Sequence, residues 1–401
     1  MLTLDKVYHA AYVLKECARK TDLIAAPNLS ENSKLFLKTE NLQVTGSFKL
    51  RGAYYKISKL SDEEKSKGII ACSAGNHAQG VALAASRKGI TATICMPDSA
   101  PVMKVESTKK LGAHVELVKG AYDDAHDKAV QLVNETGATF IHPYDDDEVI
   151  AGQATIGLEI LDQLEGVENI IVPIGGGGLI SGVAFAVKSL KPEIKVYGVQ
   201  AAGAPSMFNS FKNHQREVLE SVSTFADGIA VKNPGETTFE IISKYVDDIV
   251  CVSEDEIAAA ILALIERQKL IAEGAGAVSV AAAMFNKLPI ENQKTVCLIS
   301  GGNIDVNILS RVITRGLVMT ARNVNLTIEL VDKPGQLQQV SEIIAACGAN
   351  VVSVYYDRGD TNMAINSCFL KLALETLNAE HIEIIKRELN NAGFKIVTER
   401  V

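Results

Sequence analysis

Along the chain, short apolar runs alternate with stretches whose apolar positions recur every three or four residues. Runs at 69–72, 91–96, 114–118 and 139–141 predict strands, and the segments 76–88, 103–111 and 122–136 between them predict helices. Upstream, an amphipathic stripe predicts a helix over 3–19, alternation predicts a strand over 34–40, and a short helix is expected over 53–60. Ser61 and Glu64 have capping-box spacing, as do Ser253 and Glu256 ahead of an alanine-rich helix expected over 257–269. Strands alternating with helices at this spacing imply right-handed βαβ units and a parallel sheet. A second such series runs from 151 to about 315. From 323 the pattern changes to strand 326–330, loop 332–335, helix 336–346, strands 351–357 and 364–373, helix 379–392 and strand 395–398. That βαββαβ order is a ferredoxin-like split unit.

Length and composition narrow the class. A chain of 401 residues, 47% hydrophobic with 30 glycines, suits an α/β enzyme of two or three domains. Its formal charge of −8 and lack of a basic stripe exclude nucleic acid as the expected partner. No secretory signal or membrane-length apolar run is read, so a cytoplasmic location and no membrane partner are expected. Seven scattered cysteines show no paired spacing, which argues for reduced core thiols and against a zinc site.

Four glycine-bearing segments carry the candidate chemistry. Gly46-Ser47-Phe48-Lys49-Leu50-Arg51-Gly52-Ala53 sets a lysine between glycines beside an aromatic. Desolvation and the cationic Arg51 are expected to lower the Lys49 pKa, exposing the lone pair that condenses with an aldehyde. Taken alone, such a lysine is more often a solvated surface charge. Ser73-Ala74-Gly75-Asn76-His77, Gly175-Gly176-Gly177-Gly178 and Ser300-Gly301-Gly302-Asn303 each follow an apolar run, where open α/β sheets bind ligands. Four consecutive glycines remove every Cβ that blocks close approach of an anion, and backbone N–H groups with a helix dipole face it. The dinucleotide spacing is broken and no Gly-Lys-Ser/Thr exists, so a single phosphate is the better guest; a flexible turn is the plain alternative. Asn76 is placed to donate to a phenolate, although simple helix capping by Ser73 or Asn76 explains the motif as well. Ser300 is placed to bond a heteroaromatic nitrogen. Together these four suit pyridoxal 5′-phosphate.

In that order and composition the segments resemble the fold-type II pyridoxal-phosphate enzymes, specifically the threonine dehydratases, over about residues 5–315. The resemblance implies a two-lobed α/β catalytic domain over 1–320, its small lobe of about 45–145 inserted in a large lobe of 1–44 and 146–320. It implies that Lys49 is catalytic, carrying the cofactor and removing the Cα proton. Cofactor contacts fall to Phe48, Lys49, Asn76, Gly175, Gly176, Gly177, Gly178, Leu179 and Ser300, and substrate-carboxylate contacts to Ser73, Gly75, Asn76 and His77. The implied reaction is β-elimination of water from L-threonine, giving 2-oxobutanoate and ammonia, with L-serine giving pyruvate. Ala74 stands where related racemases carry a second serine, which disfavours racemisation. The alternatives are a serine-specific dehydratase, a racemase, or a non-catalytic amino-acid sensor. Ala226-Asp227-Gly228 matches a segment near a cation site in some relatives, but their upstream carboxylate is not matched, and no metal is expected. Residues 323–401 separately resemble an ACT regulatory domain, which implies an amino-acid effector such as isoleucine, held near Asp332, Pro334, Gly335 and Asn350. It also implies a homodimer or homotetramer.

Overall fold

The computed structural model describes residues 1–30, 32–358 and 365–397. The chain divides into two compact units, Met1–Ile308 and Leu309–Val401.

The first unit holds two sheets. In the smaller, the strands lie in the order His114–Val118, Ala92–Pro97, Ile69–Cys72, Thr139–Phe140, all paired in parallel. Ile69–Cys72 is buried at every position, which is why its sequence is an unbroken apolar run and not an alternation. In the larger, the order is Leu23–Ala25, Lys34–Thr39, Lys294–Ile299, Asn169–Pro173, Lys195–Ala201, Asp248–Val252. Leu23–Ala25 pairs antiparallel with its neighbour, and the other pairs are parallel.

Both strand orders reverse direction once, and those reversals locate the site. In the small sheet the chain steps outward from Ile69–Cys72 through two strands, then returns to place Thr139–Phe140 on the opposite side. In the large sheet it steps outward from Asn169–Pro173, then returns to place Lys294–Ile299 on the opposite side. Loops leaving the carboxyl ends of the two strands at such a reversal diverge and leave a crevice. Those loops are 73–75 and 141–146 in one sheet, and 174–177 and 300–305 in the other.

Several elements differ in extent from expectation. The helix expected over 53–60 is Lys49–Ser58, so Lys49 opens the helix and does not precede it. Gly52 lies within it because a Cβ there would sit 2.7 Å from the Val149 carbonyl of the neighbouring helix Asp147–Gln163. The first helix is Leu4–Val13, closed by a tighter turn at Leu14–Glu16. The alanine-rich helix is Glu254–Ala263, prolonged by one wider turn, Leu264–Gln268. Both expected capping boxes form.

The second unit is a four-stranded antiparallel sheet ordered Asn350–Asp357, Ser367–Glu375, Asn323–Val331, Lys395–Val397. Val340 and Ile344 of helix Gln336–Ala346, and Ile385 and Leu389 of helix Ala379–Asn391, pack with sheet residues in one core. The third strand continues past Ala373 because its alternation holds through buried Leu374. Ala364 and Thr398, expected at strand ends, lie outside the described residues. All seven cysteines are unbridged. No helix among the described residues is long and apolar enough to cross a membrane.

Candidate active site

Phe48 N–H donates to the Ser300 carbonyl at 3.1 Å, and Ser47 pairs with Gly301, so the lysine segment is stitched to the loop after strand Lys294–Ile299. This fixes the first turn of helix Lys49–Ser58 at the crevice. Lys49 Nζ donates to the Pro143 carbonyl at 2.7 Å and lies 5.3 Å from the centre of the Phe48 ring. Burial pushes its pKa down to about 8, partly opposed by the Glu273 carboxylate. A substantial fraction of the amine is therefore neutral near physiological pH, as a nucleophile or base requires.

Arg51 has no part in that shift, contrary to expectation. Its guanidinium is buried on the far side of the helix, bonded to both carboxylate oxygens of Glu40 (2.8 Å each) and of Glu159 (2.6 and 2.9 Å). Burial opposes its charge, but the two carboxylates outweigh that and hold its proton more tightly than usual. Lys38 extends the cluster by donating to Glu159 at 2.6 Å and Gln163 at 2.8 Å. Arg51 thus anchors the lysine helix to helix Asp147–Gln163 and has its charge neutralised in doing so.

Helix Asn76–Lys88 starts without a side-chain cap. Ser73 Oγ accepts from Gly75 N–H at 3.1 Å and does not cap the helix, so the first-turn N–H groups stay open toward the crevice. Asn76 is held on both sides: its Nδ2 donates to Glu273 at 2.7 Å, and its Oδ1 accepts from Asn303 Nδ2 at 2.7 Å. One hydrogen of Nδ2 remains for a ligand. His77 turns its ring inward, with Nε2 2.8 Å from the Ile141 carbonyl. Burial and the nearby Lys49 charge push its pKa down to about 3. The ring is neutral, its proton sits on Nε2 against the carbonyl, and Nδ1 offers only a lone pair. Its side chain therefore cannot donate to a carboxylate; only its backbone N–H can.

The tetraglycine loop leads into helix Gly178–Leu190, which also lacks a side-chain cap, with Leu179 buried in its first turn. The close approach that the glycines permit is to protein. A Cβ at Gly176 would lie 2.5 Å from the ring of Tyr144, and one at Gly178 would lie 2.8 Å from the Tyr144 backbone. Gly177 is left-handed at φ 99°. The Cβ side of Gly176 and Gly178 is thus filled by Tyr144, whose hydroxyl donates to the Asn233 carbonyl at 3.0 Å, while that of Gly175 faces Ile229 and that of Gly177 faces Thr238. The N–H side is left for an anion. Thr238 Oγ1 closes the loop by donating to the Gly176 carbonyl at 2.6 Å.

Ser300 Oγ is buried and donates weakly to the Ala275 carbonyl at 3.3 Å. Thr45 Oγ1, Ser47 Oγ and His77 Nδ1 are buried without a partner among the described residues. The unpaired Thr45 and Ser47 hydroxyls, which can donate, and two uncapped helix starts fit a polar, anionic group that completes them, whereas the His77 Nδ1 lone pair calls for a donor. Among the described residues no cluster of three or more His, Cys, Asp or Glu has metal-binding geometry, and Asp227 pairs with Lys104 at 2.6 Å.

Sequence reasoning missed Pro143, Tyr144, Thr238 and Glu273, and it singled out Asn303 only as part of the Ser300 segment, without a role. The Tyr144 position had one readable signal, the run 142–146 following a strand end. Glu273 had none, being a single acid before an apolar helix, Gly274–Met284.

The effector residues are not all brought together. Asp332, Pro334 and Gly335 form the turn after strand Asn323–Val331, where Asp332 pairs with Arg358 at 3.1 Å. Asn350 begins the next strand and bonds Glu375, which pairs with Asn323 at the other end of that same strand. Eight residue steps of strand put about 26 Å between them.

A lysine helix stitched to the loop after strand Lys294–Ile299, and an uncapped glycine loop at the other side of the same reversal, mark a two-lobed α/β enzyme class whose ligand crevice lies between the two sheets. The family model for pyridoxal-phosphate dependent enzymes matches residues 14–302, and this chain belongs to that family. Its cofactor is pyridoxal 5′-phosphate, and its fold is the fold-type II architecture with an ACT-like C-terminal unit. An L-threonine ammonia-lyase of Thermotoga maritima is 50% identical over 398 residues, 99% of each chain. The solved threonine deaminase isoform 2 of Solanum lycopersicum is 39% identical, with a TM-score of 0.74 over 78% of this chain and 87% of that one. Maize serine racemase is 35% identical, with a TM-score of 0.74 over 79% and 98%.

Proposed function

We propose that the protein deaminates L-threonine to 2-oxobutanoate and ammonia, converts L-serine to pyruvate as a second substrate, and is regulated by an amino acid through its C-terminal unit. The observation that carries this reading is Lys49, an amine enclosed beside the glycine loop, in a chain half identical over its whole length to an L-threonine ammonia-lyase. The similarity to a serine racemase is lower, and Ala74 offers no hydroxyl to return a proton to the opposite face.

When bound, the cofactor supplies an electron sink that acidifies the substrate Cα–H. This chain's residues do the rest. Open N–H groups at the start of helix Gly178–Leu190 and along Gly175–Leu179 grip phosphate. The spare Asn76 hydrogen meets the ring oxygen, Ser300 Oγ meets the ring nitrogen, and Phe48 packs beside the lysine. N–H groups of Gly75, Asn76 and His77, with Ser73, orient the substrate carboxylate at the uncapped start of helix Asn76–Lys88. Lys49 Nζ, neutral and held by the Pro143 carbonyl, takes the Cα proton. A neutral serine at the ring nitrogen is sufficient because the electron pair released at Cα forms the Cα–Cβ double bond as the Cβ–O bond breaks, and the hydroxyl takes up one proton and leaves as water. Residues 323–401 serve as a regulatory unit, and the assembly is a homo-oligomer.

The test is keto-acid release from L-threonine by cofactor-loaded protein beside its Lys49→Ala variant. Release that disappears with the lysine supports the proposal. Undiminished release by the variant removes Lys49 from the chemistry, and no release by the unaltered protein removes threonine as substrate.

A further inference from the structure

Glu273 is a carboxylate buried in the crevice, and no step above uses it. It sits just ahead of helix Gly274–Met284, with its backbone N–H on the Gly301 carbonyl at 3.1 Å and 4% of its surface exposed. Its Oε1 takes the Asn76 Nδ2 hydrogen at 2.7 Å. On the other side of the same amide, Asn303 Nδ2 donates to Asn76 Oδ1 at 2.7 Å and to the Thr45 carbonyl at 2.8 Å. An ionised carboxylate accepts only, and an NH2 group donates only. The pair therefore admits one orientation of the Asn76 amide, with the second Nδ2 hydrogen turned to the cofactor. A flipped amide would set oxygen against carboxylate and NH2 against NH2.

We propose that Glu273 is a positioning residue that locks the Asn76 amide in its donating orientation. This rests on the reading of Lys49 and Asn76 as cofactor residues. The charged groups facing Glu273 are Asp227 from the loop after residue 225, Lys104 from helix Val102–Lys110, and Lys49 from its own helix. Burial, then Asp227, raise its pKa to about 7, against the Asn76 hydrogen bond and the two lysines. Above about pH 7 Glu273 is mostly ionised and can only accept from Asn76.

The experiment uses apo-protein mixed with pyridoxal phosphate and follows the rate of covalent capture, together with the cofactor Kd. In capture, the neutral Lys49 amine attacks the aldehyde carbon, a C–N bond forms, and water leaves. Glu273→Gln keeps an acceptor for Asn76, so its Kd stays near the unaltered value. Glu273→Ala loses the acceptor, so Kd rises roughly tenfold or more, the factor for losing a hydrogen bond to a charged group. A Glu273→Gln Kd as high as that of Glu273→Ala would overturn the lock by an acceptor. A Glu273→Ala Kd equal to the unaltered one overturns the lock. Lys49→Ala is the separate control: capture by that variant as fast as by the unaltered protein would sink the cofactor reading itself and not the role of Glu273.

Discussion

At the scale of the residue, Tyr144 and Gly176 are a matched pair. The ring lies where a Gly176 side chain would be, and its hydroxyl reaches the Asn233 carbonyl, so the aromatic backs the loop that is proposed to bind phosphate. Gly176→Ala should overpack this contact and destabilise the protein by about 1–3 kcal/mol. Tyr144→Ala should open space at the back of the loop and cost about 2–3 kcal/mol, below the range for a fully buried aromatic because the ring is only partly buried. The double variant is the informative one. With the ring gone, the added methyl has space, so the combined cost should fall below the sum of the two single costs by at least about 1 kcal/mol. Urea unfolding of the four apo-proteins measures this, and strict additivity would mean that the ring does not enforce the glycine.

At the scale of the element, the helix opening at Lys49 is anchored by charge on the face away from the Lys49 side chain. Arg51 ties it to Glu40 after strand Lys34–Thr39 and to Glu159 on helix Asp147–Gln163, with Lys38 completing the cluster. Arg51→Met should cost about 3–5 kcal/mol, because it strands buried carboxylates without their partner. The pH dependence follows in sign. In the unaltered protein, burial is outweighed by Arg51, which holds Glu40 below its usual range. That contribution is present above the ordinary carboxylate pKa and is lost as pH falls through the folded value. In the variant, Glu40 is buried with weaker compensation, its pKa rises, and protonation relieves it. The stability gap between the two proteins should therefore narrow as pH is lowered from 7 toward 5, and denaturant midpoints across that range check it. A gap that widens would show that Arg51 does not stabilise the Glu40 charge. None of this was legible in the chain order: the sequence shows Arg51 two positions from Lys49 and suggests a direct electrostatic effect. A helix turns by about 100° per residue, so two positions place the side chains on nearly opposite faces. The strands and glycine loops were legible because they are local patterns, a buried apolar run followed by glycine. Glu273, Asn303 and Tyr144 were not, since their roles come from partners 197, 227 and 89 positions away.

At the scale of the whole molecule, the proposed regulation depends on where an effector sits in the C-terminal unit. The turn at Asp332–Gly335 and the start of strand Asn350–Asp357 both looked like parts of one amino-acid site, yet they occupy opposite ends of the strand Asn323–Val331. About 26 Å of strand cannot be spanned by one amino acid. Three arrangements remain, a site at the turn alone, a site at the Asn350 end alone, which Asn350→Ala alone would abolish, or a site that combines the turn of one copy with the Asn350 end of another. Full-length Asp332→Ala and Asn350→Ala variants separate them, with keto-acid release from threonine measured with and without isoleucine. Both variants should keep release in the absence of effector, because neither residue belongs to the unit that holds Lys49. Loss of the isoleucine response in Asp332→Ala alone places the effector at the turn. Loss in both requires a second copy, and the response should then weaken on dilution as the oligomer dissociates, since a site built from two chains is linked by mass action to their association. A response untouched by either variant would remove both positions from effector binding and return the search to the first unit.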